Sequence, residues 1–89
     1  MQIFLKDSHA YPGCRADLPG DPPAAGTDVV LSFADGIEAP GRLSPTAEGL
    51  RLVIASYRTA AGTPIAPKAW LLRRDDAGWK IAARLPDPA

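Results

Sequence analysis

The run GLRLVIASYRTAAGTPIAPKAWLLRRDDAGWKIAARL, residues 49–85, holds the longest strand pattern in the chain, both tryptophans and the clearest hairpin signal. Leu50, Leu52 and Ile54 alternate with Arg51, Val53 and Ala55, the two-residue period of a strand with one buried face. Tyr57 and Arg58 extend that strand to a loop at 59–67. Ala69, Leu71 and Arg73 then alternate with Trp70, Leu72 and Arg74. Trp79, Ile81, Ala83 and Leu85 form one face of a third segment, with Lys80, Ala82 and Arg84 on the other. Between these segments Asp75-Asp76-Ala77-Gly78 reads as a short hairpin loop, because Asp favours turn geometry and Gly supplies a positive φ.

A helix over 68–85 is the competing reading, since Ala, Leu, Arg and Lys are good helix formers. The Asp-Asp-Ala-Gly break leaves pieces of about seven residues, too short for a stable helix. Neither piece carries a helical apolar stripe, so the strand reading prevails. Trp70 and Trp79 then become near cross-strand neighbours, each able to bury about 150–250 Å², which makes them core anchors first. Of the two, Trp70 is the better candidate for a binding aromatic, because it abuts the Pro-rich loop.

Working back toward the N-terminus, Gln2 to Leu5 is a short apolar run that fits an edge strand. The stretch 7–27 is punctuated by Pro12, Pro19, Pro22 and Pro23 with Gly13, Gly20 and Gly26, and reads as an irregular loop, with at most one helical turn at Cys14–Leu18. Residues 28–34 form the next strand. Asp35-Gly36, a strong two-residue hairpin signal, returns the chain through 37–43. Pro40 makes that return strand an edge or a bulged one. Ser44 to Gly49 is a further hairpin loop. Five to six antiparallel strands in a meander, 2–5, 28–34, 37–43, 49–58, 68–74 and 78–85, predict a small all-β domain. Its sheet should bend strongly, into a partly closed SH3/OB-like barrel that disposes of its edges. The last hairpin, AWLLRRDDAGWKIAARL (69–85), resembles in outline the closing hairpin of cone-shaped α+β domains of the nuclear-transport-factor type. That family implies long N-terminal helices, for which this chain has no periodic segment.

The 89 residues fit one domain near the lower size limit for a self-sufficient core, and 10 prolines with 8 glycines favour short strands and true turns. The initial Met reads as the start of a complete small protein of bacterial type. One cysteine fits a reducing cytoplasm. No apolar run approaches the ~18 residues of a membrane span, and no signal-peptide core follows Lys6. Net charge is +0 but uneven. Residues 1–41 hold two cations and six carboxylates, and 42–89 hold eight cations and four carboxylates. The halves either neutralise one another in the fold or present separate acidic and basic faces.

Catalytic chemistry finds little purchase. His9 and Cys14 are the sole imidazole and thiol and lie in the Pro/Gly-rich stretch, without the third group that orients a nucleophile's base. They also fall short of a zinc ligand set. The acids Asp35, Glu48, Asp75 and Asp76 sit at turns, which accounts for them. The sequence therefore predicts no enzyme, no cofactor and no metal. It predicts an interaction module, with a protein partner or a second copy of itself held through Tyr57, Arg58, Ile65, Lys68 and Trp70, around a loop stiffened by Pro64 and Pro67. The alternative is nucleic-acid binding through a basic sheet face of Arg42, Arg51, Arg73, Lys80 and Arg84.

Overall fold

The computed structural model describes residues 2–6, 11–18 and 26–88. Its strands are β1 (Gln2–Leu5), β2 (Arg15–Asp17), β3 (Thr27–Ser32), β4 (Glu38–Thr46), β5 (Gly49–Ile54), β6 (Tyr57–Arg58), β7 (Pro64–Ile65), β8 (Lys68–Asp75) and β9 (Gly78–Leu85). Seven of them close a barrel in the order β1-β2-β9-β8-β5-β4-β3, while β6 and β7 form a separate small hairpin. The all-β, strongly bent sheet expected from the sequence is the fold observed, and its closure is complete. Every barrel neighbour runs antiparallel except β1 beside β3, which is parallel.

Strand alternation builds the core. Leu50, Leu52 and Ile54 point inward, joined by Ile3, Leu31, Leu43, Leu72 and Ile81, all buried. Register stacks them: Leu52 lies opposite both Leu43 and Trp70, and Leu72 opposite both Leu50 and Ile81. Truncating one such leucine to alanine costs about 2–5 kcal/mol. No polar or charged residue is buried among the described residues, so the core carries no desolvation penalty to offset.

Several local expectations are corrected. The strand expected over 49–58 ends at Ile54, and Tyr57–Arg58 leaves the barrel to pair with Pro64–Ile65. Asp35-Gly36 closes a three-residue loop rather than a two-residue one. The Phe33 N–H reaches the Ile37 carbonyl, the Gly36 N–H the Phe33 carbonyl, and Gly36 takes φ of 91°. β4 is not an edge strand. Pro40 is tolerated because the pairing with β5 starts only at Gly41, so no donor is required of it there. The tryptophans are not cross-strand neighbours either. The loop Asp76-Ala77 is tight enough to set Trp79 opposite Arg74 and leave Trp70 opposite Arg84.

That last pairing depends on a bulge. Leu72 faces Ile81 but Leu71 faces Ala83, so Ala82 is an extra residue on β9. Beyond it the inside–outside alternation of β9 reverses. Arg84, expected on the face opposite Ile81, shares the face of Trp70 instead.

The stretch 7–27, read as irregular loop, contains a strand where at most a helical turn was expected. β2 is three residues long and lies between β1 and β9, with Ala16 buried opposite Leu5 and Trp79. Arg15 fastens it from outside, its Nη1 donating to Asp75 Oδ1 at 2.7 Å beside the β8–β9 turn. That hydrogen bond, opposed by desolvation and reinforced by the Ala77 N–H and the charges of Arg15 and Lys80, holds the Asp75 carboxyl below its ordinary range. His9 and Pro19 to Pro23 lie outside the described residues.

One prediction tests the Arg15–Asp75 clasp and a second the close approach of β5 to β8. A carboxyl with a depressed folded pKa stabilises the fold above its unfolded value near 3.8, and this contribution is lost as pH falls through the folded value. The thermal midpoint of wild type should therefore fall more steeply below about pH 4 than that of Asp75→Asn. Parallel acid limbs in a thermal series from pH 2 to 6 would argue against the clasp. Gly49, at φ of 153°, packs so close to the Leu72 carbonyl that a methyl would overlap that oxygen. Gly49→Ala should lower stability by about 1–3 kcal/mol in urea unfolding; a loss under about 0.5 kcal/mol, the scale of an unconstrained surface change, would show that the approach is not tight.

Candidate functional site

One end of the barrel, where β5 and β9 finish and β8 begins, carries a pocket of about 270 Å³. Its lining is Tyr11, Pro12, Tyr57, Ile65, Lys68, Trp70 and Arg84. Four of the five contact residues expected from the sequence, Tyr57, Ile65, Lys68 and Trp70, thus meet in one place. Each is placed by a different device. Trp70 belongs to β8 and is buried against the core, forming the floor. Lys68 stands two residues earlier on the same face. Ile65 is carried in by the β6–β7 hairpin, whose turn is closed by Thr59 and Thr63 and by Gly62 at φ of 86°.

Tyr57 is the hinge of the wall. Its ring stacks on Phe33, with centroids 5.1 Å apart and planes 17° from parallel, which anchors a half-buried residue just outside the barrel. Burial pushes its phenol pKa up from 10.0, and the neighbouring Tyr11 and Asp35 push it further. The neutral phenol is therefore favoured in the folded chain, as a donor and acceptor at the pocket rim.

Arg58, the fifth expected contact residue, stands outside this lining but next to it. Its Nη1 donates to the Gly62 carbonyl at 3.1 Å and so clasps its own hairpin. It lines an adjoining depression with Ser56, Pro64 and two of the pocket residues, Tyr57 and Ile65.

Three members of the pocket were not anticipated there. Tyr11 and Pro12 come from the stretch read as loop and are set by β2: the Cys14 N–H bonds the Tyr11 carbonyl, and Cys14 and Ile81 are joined backbone to backbone. An aromatic–proline pair with no periodic context gave no sign of its neighbours. Arg84 was assigned to the basic face and is moved by the Ala82 bulge.

The expected basic face forms only in part. Register places Arg42, Arg51, Arg73 and Lys80 on the outer wall of β4, β5, β8 and β9, and leaves Arg84 off it. Carboxylates accompany most of these cations: Asp28 lies 3.6 Å from Arg42, Glu48 3.6 Å from Arg73 and Asp75 3.9 Å from Lys80. The acid-rich and base-rich halves thus meet in space at Arg42–Asp28 and Arg15–Asp75. Cys14 is buried, and His9, the other member of the Cys–His pair, lies outside the described residues. Among the described residues no three His, Cys, Asp or Glu side chains are grouped to hold a metal ion, and no helix is long and apolar enough to cross a membrane.

No protein-family model, curated protein or solved structure matches this chain, so the site rests on its own geometry. The phenol supplies a direct check of that geometry. In an NMR titration of ring-labelled tyrosine, Tyr57 should ionise above pH 10.0, and Asp35→Asn should lower its midpoint. A Tyr57 midpoint unmoved by that substitution would place Asp35 too far away to matter.

Proposed function

We propose that this chain is a non-enzymatic binding module that takes an apolar side chain of a protein partner into the pocket at the barrel end. The observation that carries this reading is convergence. Four separate segments deliver Tyr11 and Pro12, Tyr57 and Ile65, Lys68 and Trp70, and Arg84 to one depression. Its volume of about 270 Å³ lies just below the ~300–1,000 Å³ of small-molecule and cofactor sites, a size suited to a side chain or two. Rigid aromatic and Pro surfaces lose little entropy on contact, which is why such residues dominate binding hot spots. A cytoplasmic setting belongs to the same proposal and is supported by the single, buried thiol.

Nucleic-acid binding through Arg42, Arg51, Arg73 and Lys80 is the second reading, favoured by their common wall. The carboxylates beside three of them offset the charge that phosphate neutralisation requires. Self-association, the other form of the interaction reading, predicts a sedimentation coefficient that rises with concentration.

The test is selection of a displayed peptide library on the immobilised chain, then titration of the selected peptide by tryptophan fluorescence. Binding should shift the emission of the protein. Ile65→Asp should weaken it by at least about tenfold with little change in thermal midpoint. Enrichment of no peptide, or of peptides indifferent to Ile65→Asp, would remove the pocket reading. Oligonucleotide gel shifts that fade steeply between about 50 and 200 mM salt would replace it with the phosphate reading.

A further inference from the structure

Among the described residues, the charges lining the pocket are both positive. Lys68 and Arg84 stand beside an otherwise apolar wall of Tyr57, Ile65, Trp70 and Pro12, and no carboxylate of a described residue is part of the lining. The counter-charge comes from just outside it. Arg84 Nη2 donates to Asp87 Oδ1 at 2.9 Å, and both side chains are about half exposed. Lys68 acts on the same carboxylate: the Arg84 hydrogen bond first, then the charges of Arg84 and Lys68, hold Asp87 below its ordinary range against its desolvation. Asp87 is presented by Leu85-Pro86-Asp87-Pro88. The flanking prolines fix φ at their own positions, so the short segment presents this carboxylate at small entropic cost.

We infer that the pocket accepts an acidic peptide segment, an apolar side chain next to a carboxylate, and that Asp87 is the internal competitor this segment displaces. The inference rests on the pocket reading above and adds the chemistry of the partner. Charge complementarity selects it: the guanidinium fork of Arg84 matches a carboxylate in two-point geometry, and the ammonium of Lys68 adds a second attraction. An exposed pair three residues apart holds weakly in water. A ligand carboxylate whose neighbouring side chain fills the apolar pocket gains what Asp87 lacks, because burial of that side chain excludes water from the ion pair.

The probes are two blocked hexapeptides, one with a leucine flanked by glutamates and one with glutamines in their place. Each is titrated calorimetrically into the wild-type chain, Asp87→Asn and Arg84→Gln. The glutamate peptide should bind wild type about tenfold tighter than the glutamine peptide, the scale of one desolvated charge pair. Asp87→Asn should tighten the glutamate peptide a further ~2–5-fold, as removal of a weak competitor frees the site. It should leave the glutamine peptide unchanged. Arg84→Gln should erase the preference while the thermal midpoint holds. Equal binding of the two peptides, or weaker glutamate binding by Asp87→Asn, would overturn the inference and leave the apolar pocket standing. Failure of both peptides on all three proteins would remove the pocket reading itself.

Discussion

The β2 segment, Arg15 to Asp17, is the smallest strand of the barrel and the one on which its shape depends. A sheet of seven strands has two edges, each a row of unpaired backbone donors and acceptors, unless something joins the first strand to the last. β2 makes that join between β1 and β9. Three residues supply little ladder of their own, so the closure is reinforced on both sides of the sheet. Inside, Ala16 is buried in the core between Leu5 of β1 and Trp79 of β9, which lie opposite it on either side. Outside, Arg15 reaches the Asp75 carboxylate at the far turn.

The pocket follows from that closure and from one irregularity. By fixing Cys14 against Ile81, β2 brings the preceding Tyr11 and Pro12 to the barrel mouth. The extra residue Ala82 on β9 turns Arg84 from the outer wall to the face of Trp70. Remove either device and the aromatic wall loses a side or a cation. The β6–β7 hairpin completes the rim. It leaves the barrel after Ile54 and is tied back by the stack of Tyr57 on Phe33.

Electrostatics divide the surface in the same economical way. Cations on the outer wall lie mostly beside acids, Arg42 with Asp28, Arg73 with Glu48, and Arg15 and Lys80 with Asp75. The Arg42–Asp28 and Arg73–Glu48 pairs are exposed and contribute modestly to stability, while Arg15–Asp75 is partly buried. Their larger effect is to lower the positive potential of a wall that would otherwise favour polyanions. At the barrel mouth the balance differs, since Lys68 and Arg84 both act on the one carboxylate of Asp87 among the described residues there.

What the sequence determined by itself was local. Period-2 alternation in 49–58, 68–74 and 78–85 and the Gly residues at turns sufficed for the existence of these strands and the all-β class, though not for where the first of them ends, because alternation depends on residues close in the chain. Tyr57, Ile65, Lys68 and Trp70 were legible as contact candidates for the same reason: Pro64 and Pro67 mark a stiff loop beside an aromatic. The tertiary structure decided what depends on distant pairing. Arg15–Asp17 has no apolar period and becomes a strand only because two finished edges await it. The placement of Arg84 hinges on a bulge whose one-residue slip is invisible in the alternation of β9, yet reverses every side chain beyond it. Arg58 stays beside Tyr57 in space, yet its guanidinium is spent on the Gly62 carbonyl of its own hairpin, a contact that only the turn at Gly62 creates.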